Sequence, residues 1–311
     1  MKLFISKFCA YLFSCLMIIS VIIYAFTKQY YDTRVPIKKY KMISGKFGKT
    51  DSLNLILGSS HSFFGIDSKL IEGSWFNLAS TSQSFMEDFA IIQFCEQKKL
   101  HLKGIILPIS YFSNWHYLYK TPIGGEQLRV FDYTYAYNIK YPMTPNVKSR
   151  LTLISEITKT IFHNSEGGEF DTRGNLIANC NNEIAKISNV KNTFDRHNLN
   201  SDFTKINPYI DSISQYCRDN NVSLYFVIMP FTKSYRDLIN KTPFDQLLDT
   251  IKIKYAKYNC VMIDDRDLFN INEENVMFRD ADHLSTCGQK IFSSKLNAQI
   301  KTISSTTNYA H

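Results

Sequence analysis

Leu53-Asn54-Leu55-Ile56-Leu57-Gly58-Ser59-Ser60-His61-Ser62 is the stretch that sets the fold. Its first five residues form a short apolar run that stops at a glycine, the pattern of a parallel strand buried on both faces. Gly58 permits a tight turn, and a serine just beyond it stands at the carboxyl edge of a sheet. Further strands are predicted for Trp75-Phe76-Asn77-Leu78-Ala79, Gly104–Ile109, Val222–Met229 and Cys260–Ile263. Apolar residues at helical spacing (Phe85, Phe89, Ile92, Cys95) mark a helix over 85–100, and others are expected over 210–220 and 286–300. Strands alternating with helices imply an α/β fold with a parallel sheet covered on both faces. In such sheets ligands bind outside the carboxyl ends of the strands.

A second segment, Phe278-Arg279-Asp280-Ala281-Asp282-His283-Leu284, precedes the last predicted helix. An aspartate three residues before a histidine on a loop can reach back to the imidazole and fix its tautomer. The other ring nitrogen is then free to take a serine proton. Ser60, His283 and Asp280 are therefore the candidate nucleophile, base and orienting acid. His61 is a candidate second base whose side chain is expected to point away along the turn. Asp282 competes with Asp280 for the acid role. Asp264, Asp265 and Asp267 read as a solvated loop. No ligand spacing supports a metal, and no cofactor is expected.

Together these segments resemble the SGNH/GDSL hydrolase superfamily, whose first block, G-D-S-L, ends strand one and whose last, D-x-x-H, precedes the terminal helix. The resemblance covers residues 53–110 and 222–300. Ser59 stands where the family usually has aspartate. It implies a three-layer sandwich around a parallel sheet and a Ser60–His283–Asp280 triad. The oxyanion hole it implies uses Ser60 N–H, Ser82 in place of the second-block glycine, and Ser110 in place of the third-block asparagine, since no asparagine follows strand three until Asn114. An α/β-hydrolase fits less well, because Ser62 occupies the last glycine of G-x-S-x-G and the acid and histidine are only three residues apart.

The chain has 311 residues, net charge +8 and 44% hydrophobic content, enough for one domain with a large core. Its lysines and arginines are dispersed, with no basic run interleaved with aromatics, which argues against nucleic acid; the charge reads as a solvated basic surface in preference to one that attracts anionic membrane lipid or an anionic glycan. Phe8–Phe26 are nineteen uncharged residues, which at ~1.5 Å per residue span a hydrocarbon core of about 30 Å. A signal-anchor over 1–27 is expected, then a polar, basic linker over 28–50 and one domain over 51–311. Lys28, Arg34, Lys38, Lys39 and Lys41 favour a cytoplasmic C-terminus, whereas the resemblance implies an extracytoplasmic domain. The insertion at about 111–205 is rich in aromatics over 111–145, which either shape a substrate groove or pack a subdomain, and has a polar loop over 164–182. Of the seven cysteines, one pair in this region (Cys180 with Cys217, for example) can form a disulfide.

The resemblance implies an esterase or O-acyltransferase acting on acyl, chiefly acetyl, esters of surface polysaccharide, often beside a membrane-bound O-acyltransferase, or a relative of the D-alanyl transfer proteins of teichoic acid modification. Two alternatives are a binding or assembly protein that keeps the fold without turnover, and a membrane lipid esterase with the aromatic insertion as its lid.

Overall fold

The computed structural model describes residues 2–47, 52–121, 124–142, 170–177, 187–198, 201–258 and 260–307, with 155 and 180 as single residues. The polar loop expected over 164–182 lies largely outside the described residues. Five parallel strands, β1 (Ser52–Ile56), β2 (Trp75–Asn77), β3 (His101–Pro108), β4 (Ser223–Ile228) and β5 (Cys260–Asp264), form one sheet in the order β2-β1-β3-β4-β5. The chain runs from β1 out to β2 and returns on the other side of β1 to β3. The crevice beyond the ends of β1 and β3 is thus the topological switch point where α/β sheets bind ligands.

Period-two alternation divides the sheet residues between two cores. Leu53, Leu55, Leu57, Ile105, Leu107, Leu224 and Phe226 pack with α4 (Phe85–Gln97) and the helices Pro208–Asp219 and Phe244–Tyr255. Ile56, Ile106, Val227 and Ile263 pack with Phe292, Leu296 and Ile300 of the final helix, Thr286–Thr307. The sheet is therefore covered on both faces, as the apolar strand runs predict.

The N-terminal helix α1 (Lys2–Thr33) contains a 30-residue segment, Phe4–Thr33, long and apolar enough to cross a membrane. Over 28–47, the described part of this segment, the chain is not the solvated linker its charge suggests. Helix α1 runs through Thr33 and α2 (Val35–Lys46) follows at once, with Pro36 in its first turn. Ile37 and Ile43 are buried, and Ile43 belongs to the larger core. Lys39 is only 1% exposed, with its ammonium 4.7 Å from the Phe63 ring centroid and donating to the Ala79 carbonyl. Burial holds its pKa well below the usual lysine value, against an opposing pull from Asp171. Arg34 pairs with Asp132 at 2.9 Å, and Tyr31 stacks on Tyr135 at 4.4 Å, so the C-terminal end of α1 is joined to the helix Arg129–Tyr137.

Two other expectations are corrected. The disulfide joins Cys180 to Cys287, at the start of the final helix, with Cα atoms 5.0 Å apart, and Cys217 is a free buried thiol. Of the acids after β5, Asp265 is buried and accepts from Lys295 at 2.6 Å, because the final helix crosses above it.

Candidate active site

Gly58 leaves β1 at φ +101°, and a Cβ there would lie 2.8 Å from Ser62 Oγ and 3.3 Å from Pro108 Cδ. Its N–H donates to Asp88 Oδ1 of α4 at 2.8 Å. The chain then turns directly into α3 (Ser60–Gly65), so Ser60 is the first helical residue and its N–H has no intrahelical acceptor. Buried Asn77 at the end of β2 fixes this helix from behind: its amide donates to Ser62 O (3.2 Å) and Ile66 O (2.9 Å) and accepts from Ala79 N–H (3.1 Å). Ser60 is left half-buried with its side chain facing the loop before the final helix.

On that loop Asp280 Oδ1 accepts the backbone N–H groups of Asp282 (3.2 Å) and His283 (2.9 Å), which orients its carboxylate. The carboxylate also holds His283 Nδ1, at 2.9 and 3.0 Å from its two oxygens. His283 Nε2 lies 2.8 Å from Ser60 Oγ. With Nδ1–H given to Asp280, Nε2 is the unprotonated acceptor of the serine hydroxyl. Burial disfavours the imidazolium, but the Asp280 hydrogen bond and the Asp282 and Asp280 charges outweigh it and raise the His283 pKa above its ordinary value. Burial also opposes the Asp280 carboxylate, yet its bond to His283 leaves that pKa lowered.

His61 does not point away from the site. Its Nε2 lies 3.2 Å from Asp282 Oδ2 and its Nδ1 meets Ser110 Oγ, and its side chain is only 1% exposed. The tautomer that satisfies both neighbours has Nε2–H donating to the carboxylate and Ser110 O–H donating to Nδ1. Asp282 Oδ1 is also 3.3 Å from His283 Nδ1, and Oδ2 is 3.5 Å from His197 Nδ1. Asp282 is thus a buried carboxylate among three imidazoles. Burial opposes its charge, but the His61 hydrogen bond and the neighbouring histidines depress its pKa strongly. Burial lowers the His61 pKa, and that of His197 to about 3.

His61, Asp282 and His283 bring ligand atoms within 4.8 Å of one another, close enough for a cation. The hydrogen bonds above account for that closeness without one.

A cleft of about 690 Å³ opens over Ser60 and His283. Its walls include Phe64, Ser82, Phe112, Trp115, Tyr117 and His197, with Lys120, Arg129, Arg196 and Lys205 against Glu126 and Asp202. The described aromatics of this region divide between two settings: Tyr111 and Tyr133 are fully buried, while Phe112, Trp115 and Tyr117 face the cleft. Ser82 lines the cleft in a left-handed conformation, φ +61°, the backbone state for which glycine is favoured.

Ser110 does not face the cleft: it is 1% exposed, with its hydroxyl on His61. Asn114 reaches the cleft wall, but its amide is engaged by the carbonyls of Asp202 (2.9 Å) and Lys205. His197, His116 and Arg129 escaped the sequence reading. All three come from the insertion, where no motif marks them.

Comparison of the sequence with protein-family models and with curated proteins returns no match, so the chemistry of the site rests on its own geometry.

Proposed function

We propose that this chain is a membrane-anchored serine hydrolase or acyltransferase of the SGNH type, acting on acyl esters, chiefly acetyl, of cell-surface polysaccharide. The observation that carries the reading is the ordered contact series from Asp280 through His283 to Ser60 at the floor of a cleft. Ser60 Oγ attacks the ester carbonyl while His283 Nε2 takes its proton. The tetrahedral intermediate forms with its oxyanion toward the Ser82 and Ser60 N–H groups. It collapses to acyl-Ser60, and His283 returns the proton to the departing alcohol. Water or a sugar hydroxyl then gives its proton to His283 as its oxygen attacks the acyl carbon. The acyl–Ser60 bond breaks with return of that proton from His283 to Ser60 Oγ, releasing the acid or a new ester. Asp280 keeps Nδ1 protonated and stabilises the transient imidazolium.

Aromatic faces on the cleft wall suit sugar rings, and the anchor keeps the reaction at a membrane surface. The Cys180–Cys287 disulfide supports an extracytoplasmic location, since such bonds persist in oxidising compartments. A membrane-bound O-acyltransferase is the partner that would supply acyl groups if the reaction runs as transfer. A second reading, a binding protein without turnover, draws support from Asn114, whose amide is already engaged by the chain.

The test is acetate release from O-acetylated polysaccharide, or its transfer to a deacetylated acceptor, by full-length protein in detergent. Wild type is expected to turn over and Ser60→Ala to lose more than about 10³-fold of that rate. Equal, background rates in both would leave the binding protein as the better account. A soluble form must begin ahead of Val35, because α2 is part of the core.

A further inference from the structure

In the loop Ala79–Gln83, the carbonyls of Ala79, Thr81 and Ser82 are each held by a different side chain. Lys39 donates to Ala79 O, Arg129 Nη1 to Thr81 O, and His116 Nε2 to Ser82 O at 3.1 Å. The turn closes with Gln83 N–H on Ser80 O at 3.2 Å. Of its two central residues only Ser82 has positive φ, +61°. That is the sign pattern of a type II turn, whose third position favours glycine.

The central peptide of such a turn is its soft point. Rotating the Thr81–Ser82 peptide by half a turn converts type II to type I and returns Ser82 to the negative φ that L residues prefer. The chemical consequence is large, because the C=O and N–H of one trans peptide point in opposite directions. With Thr81 O on Arg129, the Ser82 N–H points away from it, and Ser82 lines the cleft beside Ser60. This N–H has no acceptor among the described residues. The Ala79–Ser80 peptide differs: Lys39 takes its carbonyl and Gly58 O takes its N–H at 3.2 Å, so it ties α2 to the nucleophile turn and offers nothing to a substrate.

We propose that Arg129 is a positioning residue that holds the Thr81–Ser82 peptide in the orientation aiming the Ser82 N–H at the developing oxyanion. The proposal rests on the serine-hydrolase reading above. A guanidinium on the carbonyl also polarises the peptide and strengthens its N–H as a donor. Serine at a position suited to glycine is what makes the clamp necessary: glycine holds positive φ unaided, serine does not.

The experiment measures kcat and KM on 4-nitrophenyl acetate with full-length protein in detergent, for wild type, S60A, R129M, R129K, S82G, R129M/S82G and R129K/S82G. R129M is expected to lower kcat roughly 10–100-fold, short of or equal to the loss of a whole oxyanion donor. KM stays within about twofold, the mark of an interaction made only in the transition state. The thermal midpoint is unchanged. R129M/S82G recovers at least about tenfold over R129M, because glycine supplies the backbone state the clamp enforces. If R129M does not fold, R129K and R129K/S82G decide in the same way, with a smaller loss and full recovery. An R129M kcat close to wild type, a loss confined to KM, or no recovery in the folded double variant overturns the clamp. Wild type no more active than S60A overturns the hydrolase reading and this inference with it. Active wild type with R129M unimpaired overturns the inference alone.

Discussion

The molecule holds two Ser–His–Asp series side by side. In one, Asp280 meets His283 Nδ1 and His283 Nε2 meets Ser60; in the other, Asp282 meets His61 Nε2 and His61 Nδ1 meets Ser110. The two rings are 5.1 Å apart. What separates them is solvent. Side-chain exposure is 17% for His283 and 48% for Asp280, against 1% for His61 and 2% for Asp282. The ring polarity is also reversed, since His61 receives its acid at Nε2. The first series opens on the cleft, and the Asp280 and Asp282 carboxylates outweigh burial and leave its imidazole poised for protonation. The second is a closed structural relay in which burial favours neutral imidazole. Residue types are the same, so ring orientation, access and electrostatic setting distinguish the two serines.

The largest expected effect separates the two acids. Asp280→Asn should lower kcat by about 10²–10⁴-fold, because the amide no longer selects the Nδ1–H tautomer of His283. Asp282→Asn should act mainly on pH dependence. The pKa of His283 is raised above its ordinary 6.5 partly by the Asp282 charge. As a base, His283 must be neutral, so activity rises with pH through a limb lying above that value. Removing the Asp282 charge lowers the pKa and moves the limb to lower pH. A limb that does not move would show that Asp282 serves His61 alone. A loss as deep as that of Asp280→Asn would make Asp282 the working acid.

The smallest effect belongs to the closed series. Ser110→Ala leaves His61 Nδ1 buried without a donor, which should cost about 1–3 kcal/mol of stability in denaturant melts. Turnover per folded molecule should be unchanged. A drop in kcat without loss of stability would instead place Ser110 in the reaction.

The strands were legible because their signals are local, and the first series because its Asp280–His283 half is local and the resemblance of the two segments joins Ser60 to it across 223 residues. Apolar runs end at Gly58 and Pro108, and Asp280 and His283 lie three residues apart on one loop. The second series was not, since His61 and Asp282 meet across 221 residues and nothing near either one records the other. Helix α2 was misread for a different reason. Lysines at 38, 39 and 41 look solvated in sequence, and only tertiary packing puts Lys39 against Phe63 with a carbonyl to bind. The clamp on Ser82 was hidden likewise, although the departure from glycine at that position was visible.

The most direct test of the account is to treat full-length protein with a fluorophosphonate, which phosphonylates only an activated serine, and to locate the adduct by peptide mass spectrometry. The account predicts one adduct, on Ser60, lost in His283→Ala and retained in Ser110→Ala. Modification of Ser110, or no adduct on Ser60 in folded protein, would contradict it.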